Sequence, residues 1–272
     1  YAYADYIKGV APMLEYAEDV PKHPDWGKYK KDVFEVIYER RSIREYKLTE
    51  DGKPVPVPDW KIERILDAAR WTPSYMNVQP WRFIVVRDPE IKEWMAKTGV
   101  ETSAAAFGEV PTYEFTDERI WYIPKRARPG VLERQYDGRL FDYCGECDVV
   151  MICCHSTEQH QDLSGSAPGM TLWNEPYSTW GPQMMAVQAM WLAATALNLG
   201  AGFNTFPVVG VGNNELITEL LGIPPSWRVT YTFNIGVPAY TRMLGPSRYP
   251  LEAVAFVERW GKPYIREPIT RE

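Results

Sequence analysis

Thr72-Pro73-Ser74-Tyr75-Met76-Asn77-Val78-Gln79-Pro80-Trp81 is where the chain changes its hydrophobic period. Before it, Ile62, Ile65, Leu66 and Ala69 recur at three- and four-residue spacing. That spacing predicts an amphipathic helix through Arg70, with Asp59 read as its N-cap. After it, Arg82-Phe83-Ile84-Val85-Val86-Arg87 is short, β-branched and aromatic, which predicts a strand. Between the two lie prolines, a serine and two amides, the residue types of a link rather than an element. A second helix is expected from Pro89 to Gly99, with Pro89 in its first turn.

The same alternation extends in both directions. Val33, Phe34, Val36 and Ile37 predict a helix over 31–40, and a Gly/Pro-rich loop follows over 48–58. Asp148 to Cys154 reads as a buried strand. Pro182 to Leu199 carries small residues around most of its surface, which predicts a buried central helix. Gly200 to Phe206 opens a strand. Asn213 is read as the cap of a helix over 215–221 that stops at Gly222, with Pro224 beyond. Arg228 to Val237 is a strand, and an extended tail holds one helix near 250–259. Helices and strands alternating irregularly indicate an α+β class. The expected organisation is an arm over 1–31 and one domain over 32–272. The aromatic-rich insertion over 100–145 is read either as a lid or as a surface excursion with its own small core.

The chain has 272 residues and a net charge of -6, which argues against binding along a nucleic-acid backbone but leaves room for a local basic pocket. No apolar run approaches the roughly 20 residues that span a bilayer. The start of the chain lacks the apolar stretch of a signal peptide. The expectation is a cytoplasmic protein without a membrane segment. Cys144, Cys147, Cys153 and Cys154 crowd one segment, which does not suit a disulfide framework. The Cys-x-x-Cys pair invites a metal or redox reading, but there is no second spaced pair and only three His are available. Cys153 and Cys154 read as small buried hydrophobes, the role of the Cys144/Cys147 pair stays open, and no metal is expected.

Four short stretches carry chemistry. Glu39-Arg40-Arg41-Ser42-Ile43-Arg44 gathers guanidinium groups suited to a phosphate, or is simply a solvated charged face. Asn77 and Gln79 both donate and accept, which suits the edge of a heterocycle, or they belong to an ordinary loop. Gly200-Ala201-Gly202-Phe203-Asn204-Thr205-Phe206-Pro207-Val208-Val209-Gly210 would let backbone approach a planar ligand. Ser247-Arg248-Tyr249-Pro250-Leu251 places one Arg beside the tail helix.

In this order and spacing the four stretches resemble the nitroreductase family of flavoproteins, over roughly residues 32–100 and 145–260. The resemblance implies an α+β fold around a mixed sheet and a homodimer that exchanges terminal segments, with FMN bound in the interface. By position, Arg40, Arg41, Ser42 and Arg44 would hold the FMN phosphate and ribityl chain, and Arg248 would close on the phosphate. Ser74, Tyr75, Met76, Asn77 and Gln79 would line the flavin, serving the neighbouring subunit's FMN. Thr205, Phe206, Pro207, Val208, Val209 and Gly210 would pass beside the ring and offer a backbone N–H to N5. The implied chemistry is ping-pong. NADH or NADPH gives hydride to N5, and a small aromatic acceptor takes the electrons in the same place, with no side-chain nucleophile.

The insertion, the 155–180 loop and the arm are longer than a compact member of that family needs. Tyr113, Trp121, Trp173 and Tyr177 are candidates to stack on a substrate, and the tryptophans and tyrosine of 173–180 serve equally as core or dimer contacts. His155 is read as ending its strand and His160 as exposed. Two other readings stay open. One is a reductive dehalogenase resembling iodotyrosine deiodinase, with the Thr205 hydroxyl near N5. The other is a flavin-binding or sensor protein without turnover.

Overall fold

The computed structural model describes residues 25, 28–29, 31–74, 77–108, 141–157, 180–240 and 248–264. Its centre is a sheet of four strands: β1 (Trp81–Val86), β2 (Val149–Ser156), β3 (Gly200–Asn204) and β4 (Trp227–Gly236). They lie in the order β1-β2-β4-β3, and every neighbouring pair is antiparallel. The parallel contribution comes from outside the named strands, where Ser42 forms a parallel bridge to Ala201 on β3. Among the described residues the sheet is thus mixed only at this edge.

Helices cover both faces. On one side lie α1 (Val33–Glu39), α2 (Asp59–Arg70) and, later in the chain, Gly181–Ala196. On the other lie α3 (Pro89–Gly108), α4 (Tyr143–Glu146), and the segments Phe206–Val209 and Asn213–Leu220. In chain order the remaining helices are α5 (Gly181–Ala196), α6 (Phe206–Val209), α7 (Asn213–Leu220) and α8 (Leu251–Val254). β2 is buried throughout because it faces helices on both sides. Val149, Met151 and Cys153 enter the core beneath α2 and α5, while Val150, Ile152 and Cys154 enter the opposite one. This explains a strand that reads as one unbroken apolar run. It also sends the adjacent Cys153 and Cys154 to opposite faces. Each fully buried side chain of this kind, such as Ile65 or Met151, contributes about 1.5–3 kcal/mol relative to exposure.

Several boundaries differ from the sequence reading. Asp59 is the first helical residue of α2 rather than its cap, and its carboxylate pairs with Arg87, tying the helix start to the end of β1. α3 continues past Gly99 to Gly108, so the start of the 100–145 stretch is helical. Gly99 is there for space: a Cβ would lie 3.1 Å from the Phe141 carbonyl oxygen and 3.3 Å from Pro207. Asn213 lies inside α7, with Gly212 at φ 77° taking the boundary, and its amide donates to Thr102 Oγ1 at 3.0 Å. α5 is buried on one side only, leaving Met184, Met185 and Gln188 exposed. The tail helix is a single turn, after which Phe256 bridges to Pro263. His155 sits within β2, its Nδ1 2.8 Å from Thr230 Oγ1, and does not end the strand.

All four cysteines are buried and unpaired by disulfides. Burial pushes the Cys154 thiol up to about 12, and Cys144, Cys147 and Cys153 upward as well. Each is therefore a neutral thiol across the physiological range, and thiols in that state are poor ligands and nucleophiles. Among the described residues no group of three His, Cys, Asp or Glu is placed to hold a metal, and no helix is long and apolar enough to cross a membrane. His160 lies outside the described residues, as does most of the 1–31 arm.

Candidate flavin site at the edge of the sheet

α1 ends at Arg40, and the chain then runs extended along β3. Ile43 N–H donates to the Ala201 carbonyl at 2.9 Å, and the Tyr46 hydroxyl donates to the Ile43 carbonyl at 3.1 Å. The close approach needs glycine: a Cβ on Gly202 would collide with the Ile43 carbonyl oxygen. Extended geometry sends alternate side chains to opposite sides. Ser42 and Arg44 accordingly face a cavity of about 260 Å³ lined also by Met184, Val187, Gln188, Trp191 and Phe203. Arg41 and Ile43 face a different cavity of about 550 Å³, with Lys31, Tyr38, Glu39 and Tyr240. The group Arg40-Arg41-Ser42-Arg44 is thus divided between two sides of one strand.

Arg40 stacks on Trp191, one of the residues lining the smaller cavity, its guanidinium 4.6 Å from the centre of the ring. Trp191 is itself fixed by its indole N–H, which donates to the Arg41 carbonyl at 3.1 Å. Burial, then the charges of Arg248 and Arg41, lower the Arg40 pKa below its ordinary value. Arg248, about two hundred residues further along the chain, therefore arrives near Arg40. Arg41 Nε and Arg44 Nε are buried with no hydrogen-bond partner. A buried guanidinium nitrogen without a partner, such as Arg44 Nε, is costly unless an acceptor joins it. Beneath Arg44 the Tyr143 hydroxyl donates to the Phe203 carbonyl at 2.6 Å.

The amide loop lies elsewhere. Ser74 Oγ accepts from Gln79 N–H at 2.9 Å, and Gln79 Nε2 donates to Asn77 Oδ1 at 3.4 Å. Asn77 (φ 56°) and Gln79 (φ 48°) both adopt the left-handed region, which is uncommon for glutamine and is held here by the Ser74 contact. Tyr75 and Met76 lie outside the described residues, as do Tyr113, Trp121, Trp173 and Tyr177. Trp81, at the end of this loop, pairs with His155, which pairs with Arg228 on β4. Ser42 is joined to Ala201, which pairs with Ile235 on β4. The two motifs are therefore seven residues apart along β4 and four strand spacings apart across the sheet. That places them at diagonally opposite corners, roughly 30 Å from each other.

Thr205 to Gly210 does not continue β3. The Asn204 side chain accepts from Phe206 N–H at 3.1 Å, which turns the chain into α6. Phe206 packs on Phe141, and Pro207 and Val208 are buried, so their side chains belong to the core. The N–H groups of Phe206, Val208 and Val209 are committed inside the turn. Thr205 and Gly210 remain as the N–H groups that the turn does not use.

The family model described as the nitroreductase family matches residues 37–237. The chain belongs to the nitroreductase family. Among curated relatives, the 5,6-dimethylbenzimidazole synthase of Rhodobacter capsulatus is 25% identical over 208 residues, covering 76% of this chain and 84% of that protein. The NADH dehydrogenase of Thermus thermophilus is 41% identical over 109 residues, and the match spans 37% of this chain and 47% of that protein's length. A Desulfovibrio desulfuricans protein solved in complex with FMN shares the fold at TM-score 0.55 and 23% identity, covering 85% of this chain and 99% of that one.

In this nitroreductase-family chain Arg40, Ser42 and Arg44 lie within the matched range, whereas Arg248 lies beyond it and comes near Arg40 by folding. Trp191 and Tyr143 escaped the sequence reading. Met184, Gln188 and Trp191 form one helical row, and the large or polar members of that row in a small-residue helix were the available signal.

Proposed function

We propose that this chain is an FMN-dependent oxidoreductase that takes hydride from NADH or NADPH and passes it to a small organic acceptor, working as a homodimer with FMN across the interface. The observation that carries the reading is Arg40 stacked on Trp191 near Arg248, with Ser42 and Arg44 lining the cavity that Trp191 also lines and the buried Arg44 Nε lacking a partner. FMN would supply hydride acceptance and donation at N5, which no side chain here offers.

The residues present fit that group. Arg40 and Arg248 would bind the phosphate with paired, charge-assisted hydrogen bonds. Ser42 would follow the ribityl chain, and Arg44 would stand at the ring. Trp191 and Phe203 would exclude water from the cavity wall, and the Thr205 and Gly210 N–H groups would be available to the ring edge. Asn77 and Gln79 are too distant to meet an FMN held by Arg40 in the same chain, so they would serve the second copy. The dimer is further supported by apolar side chains left exposed on α1 (Val33, Phe34, Ile37, Tyr38) and by Met184 and Met185 on α5. A cytoplasmic location remains part of this reading.

A one-electron dehalogenase is the second reading. It is favoured by Thr205, a half-buried hydroxyl at the start of α6 that makes no capping hydrogen bond. An anaerobic titration of FMN-loaded protein tests both. Bleaching by NADH or NADPH, with reoxidation by a nitroaromatic, is the expected result. Flavin that resists both nucleotides but, once reduced by dithionite, is reoxidised by a halophenol would replace the first reading with the second. Flavin that neither nucleotide reduces and no acceptor reoxidises would leave only a binding or sensor role.

A further inference from the structure

The bridge between Ser42 and Ala201 turns Arg41 away from the flavin side, and the larger cavity that Arg41 lines has no part in the flavin reading. At about 550 Å³ it falls within the roughly 300–1,000 Å³ of small-molecule sites. Ile43, Leu199 and Pro238 give it apolar wall, and Tyr38 and Tyr240 add aromatic rings. That wall is closely fitted: a Cβ on Gly200 would lie 2.7 Å from Ile43 Cγ2. Lys31 and Glu39 also line the cavity and pair with each other at 2.6 Å, so their charges offset.

The Arg41 guanidinium is held in one orientation. Its Nη1 donates to the Tyr38 carbonyl and, at 2.8 Å, to the Arg40 carbonyl, both at the end of α1, where a helix leaves carbonyls open. A guanidinium offers a carboxylate a pair of parallel N–H groups, and committing Nη1 leaves the edge formed by Nε and Nη2. Nε is buried without a partner, and among the described residues no carboxylate pairs with Arg41. A buried donor in that state is costly until an acceptor joins it.

We propose that the larger cavity is a second ligand site, which takes a small organic carboxylate with an aromatic or apolar body on the Nε edge of Arg41. The geometry favours a carboxylate over a phosphate. One guanidinium edge matches two oxygens, and Glu39 in the same wall opposes a dianion. The site is independent of the flavin reading, because Arg41 and Ser42 point to opposite sides of one extended segment.

Benzoate is the probe, and benzamide is its neutral counterpart. The Nε–H resonances of the arginines are followed by NMR during titration, and the Arg41 signal is the one that Arg41→Gln removes. Benzoate should move that signal and bind about tenfold or more tightly than benzamide, in flavin-free and FMN-loaded protein alike. Its affinity should fall roughly 10- to 100-fold in Arg41→Gln and stay unchanged in Arg44→Gln. Should Arg41→Gln fail to fold, Arg41→Lys decides it, since a lysine can still donate to the two carbonyls but has no fork. An Arg41 signal that benzoate leaves unmoved, or benzoate and benzamide binding alike, overturns the proposal. So does benzoate that shifts the flavin absorption and competes with Arg44→Gln rather than Arg41→Gln for its loss of affinity, which places it on the flavin side. A protein that passes this test but takes up no flavin loses the flavin reading and keeps this site.

Discussion

Gly202→Ala is expected to cost about 3 kcal/mol of stability and to abolish FMN uptake. The new methyl group would land on the Ile43 carbonyl oxygen, a backbone atom, with the Tyr143 ring 3.3 Å away. Neither neighbour can yield. Ile43 is pinned by its N–H bond to Ala201 and by the Tyr46 hydroxyl on its carbonyl. The strand carrying Ser42 and Arg44 must therefore leave β3, and the wall of the cavity leaves with it. In a chain of this size the loss corresponds to a fall in Tm of roughly 6–12 °C. Gly212→Ala is the informative control. Gly212 has a positive φ of 77°, but nothing lies within 4 Å of where its new methyl group would stand. It should cost only about 1–2 kcal/mol of backbone energy and leave flavin binding intact. Thermal and denaturant unfolding of the two variants checks this; a Gly202→Ala protein as stable as Gly212→Ala would contradict it.

Arg40→Gln should weaken FMN binding by roughly 10- to 100-fold while leaving the unliganded protein as stable as before, or more so. The two effects have opposite signs for one reason. Without an anion, the Arg40 charge is opposed by burial and by Arg248 and Arg41. Its removal relieves that repulsion, and the lost stacking on Trp191 offsets only about 0.5–1 kcal/mol of the gain. With FMN present, the same charge becomes a phosphate ligand. Riboflavin lacks the phosphate, so its affinity should be unchanged. Calorimetric titration with FMN and riboflavin, alongside melting of the flavin-free protein, measures all three. A variant that melts lower and keeps its FMN affinity would show Arg40 to be a structural residue.

The elements that were legible in the sequence are those decided by local chemistry. The apolar positions of 59–70 recur at helical spacing, and the run 149–154 can only lie between two covered faces. Boundaries decided by distant groups were not legible. Gly99 reads as a stop, yet the helix runs on through it, and glycine stands there because a Cβ would meet Phe141 and Pro207. Asn213 reads as a cap, yet its amide is held by Thr102. The arginine motif was legible as a concentration of guanidinium groups, but the split of Arg41 from Ser42 and Arg44 follows from an edge bridge that no local pattern announces. Tyr143 was hidden for another reason. It ends an aromatic stretch without period, so nothing in its neighbours separates a core residue from a surface one. The order β1-β2-β4-β3 sets the distance between the two motifs, and strand order depends on pairing across the whole chain.

That distance makes the central claim testable, because a site built from opposite corners must draw on two copies of the chain. The most direct measurement is FMN stoichiometry in mixed dimers. One subunit carries Arg40→Gln with Arg44→Gln, and the other carries Asn77→Ala with Gln79→Ala. Each variant alone should bind little FMN. Their heterodimer, purified through two different tags, should bind one FMN per dimer, since one site collects both defects and the other is intact. A heterodimer as deficient as its parents would place both motifs in the same site of one chain and contradict the account.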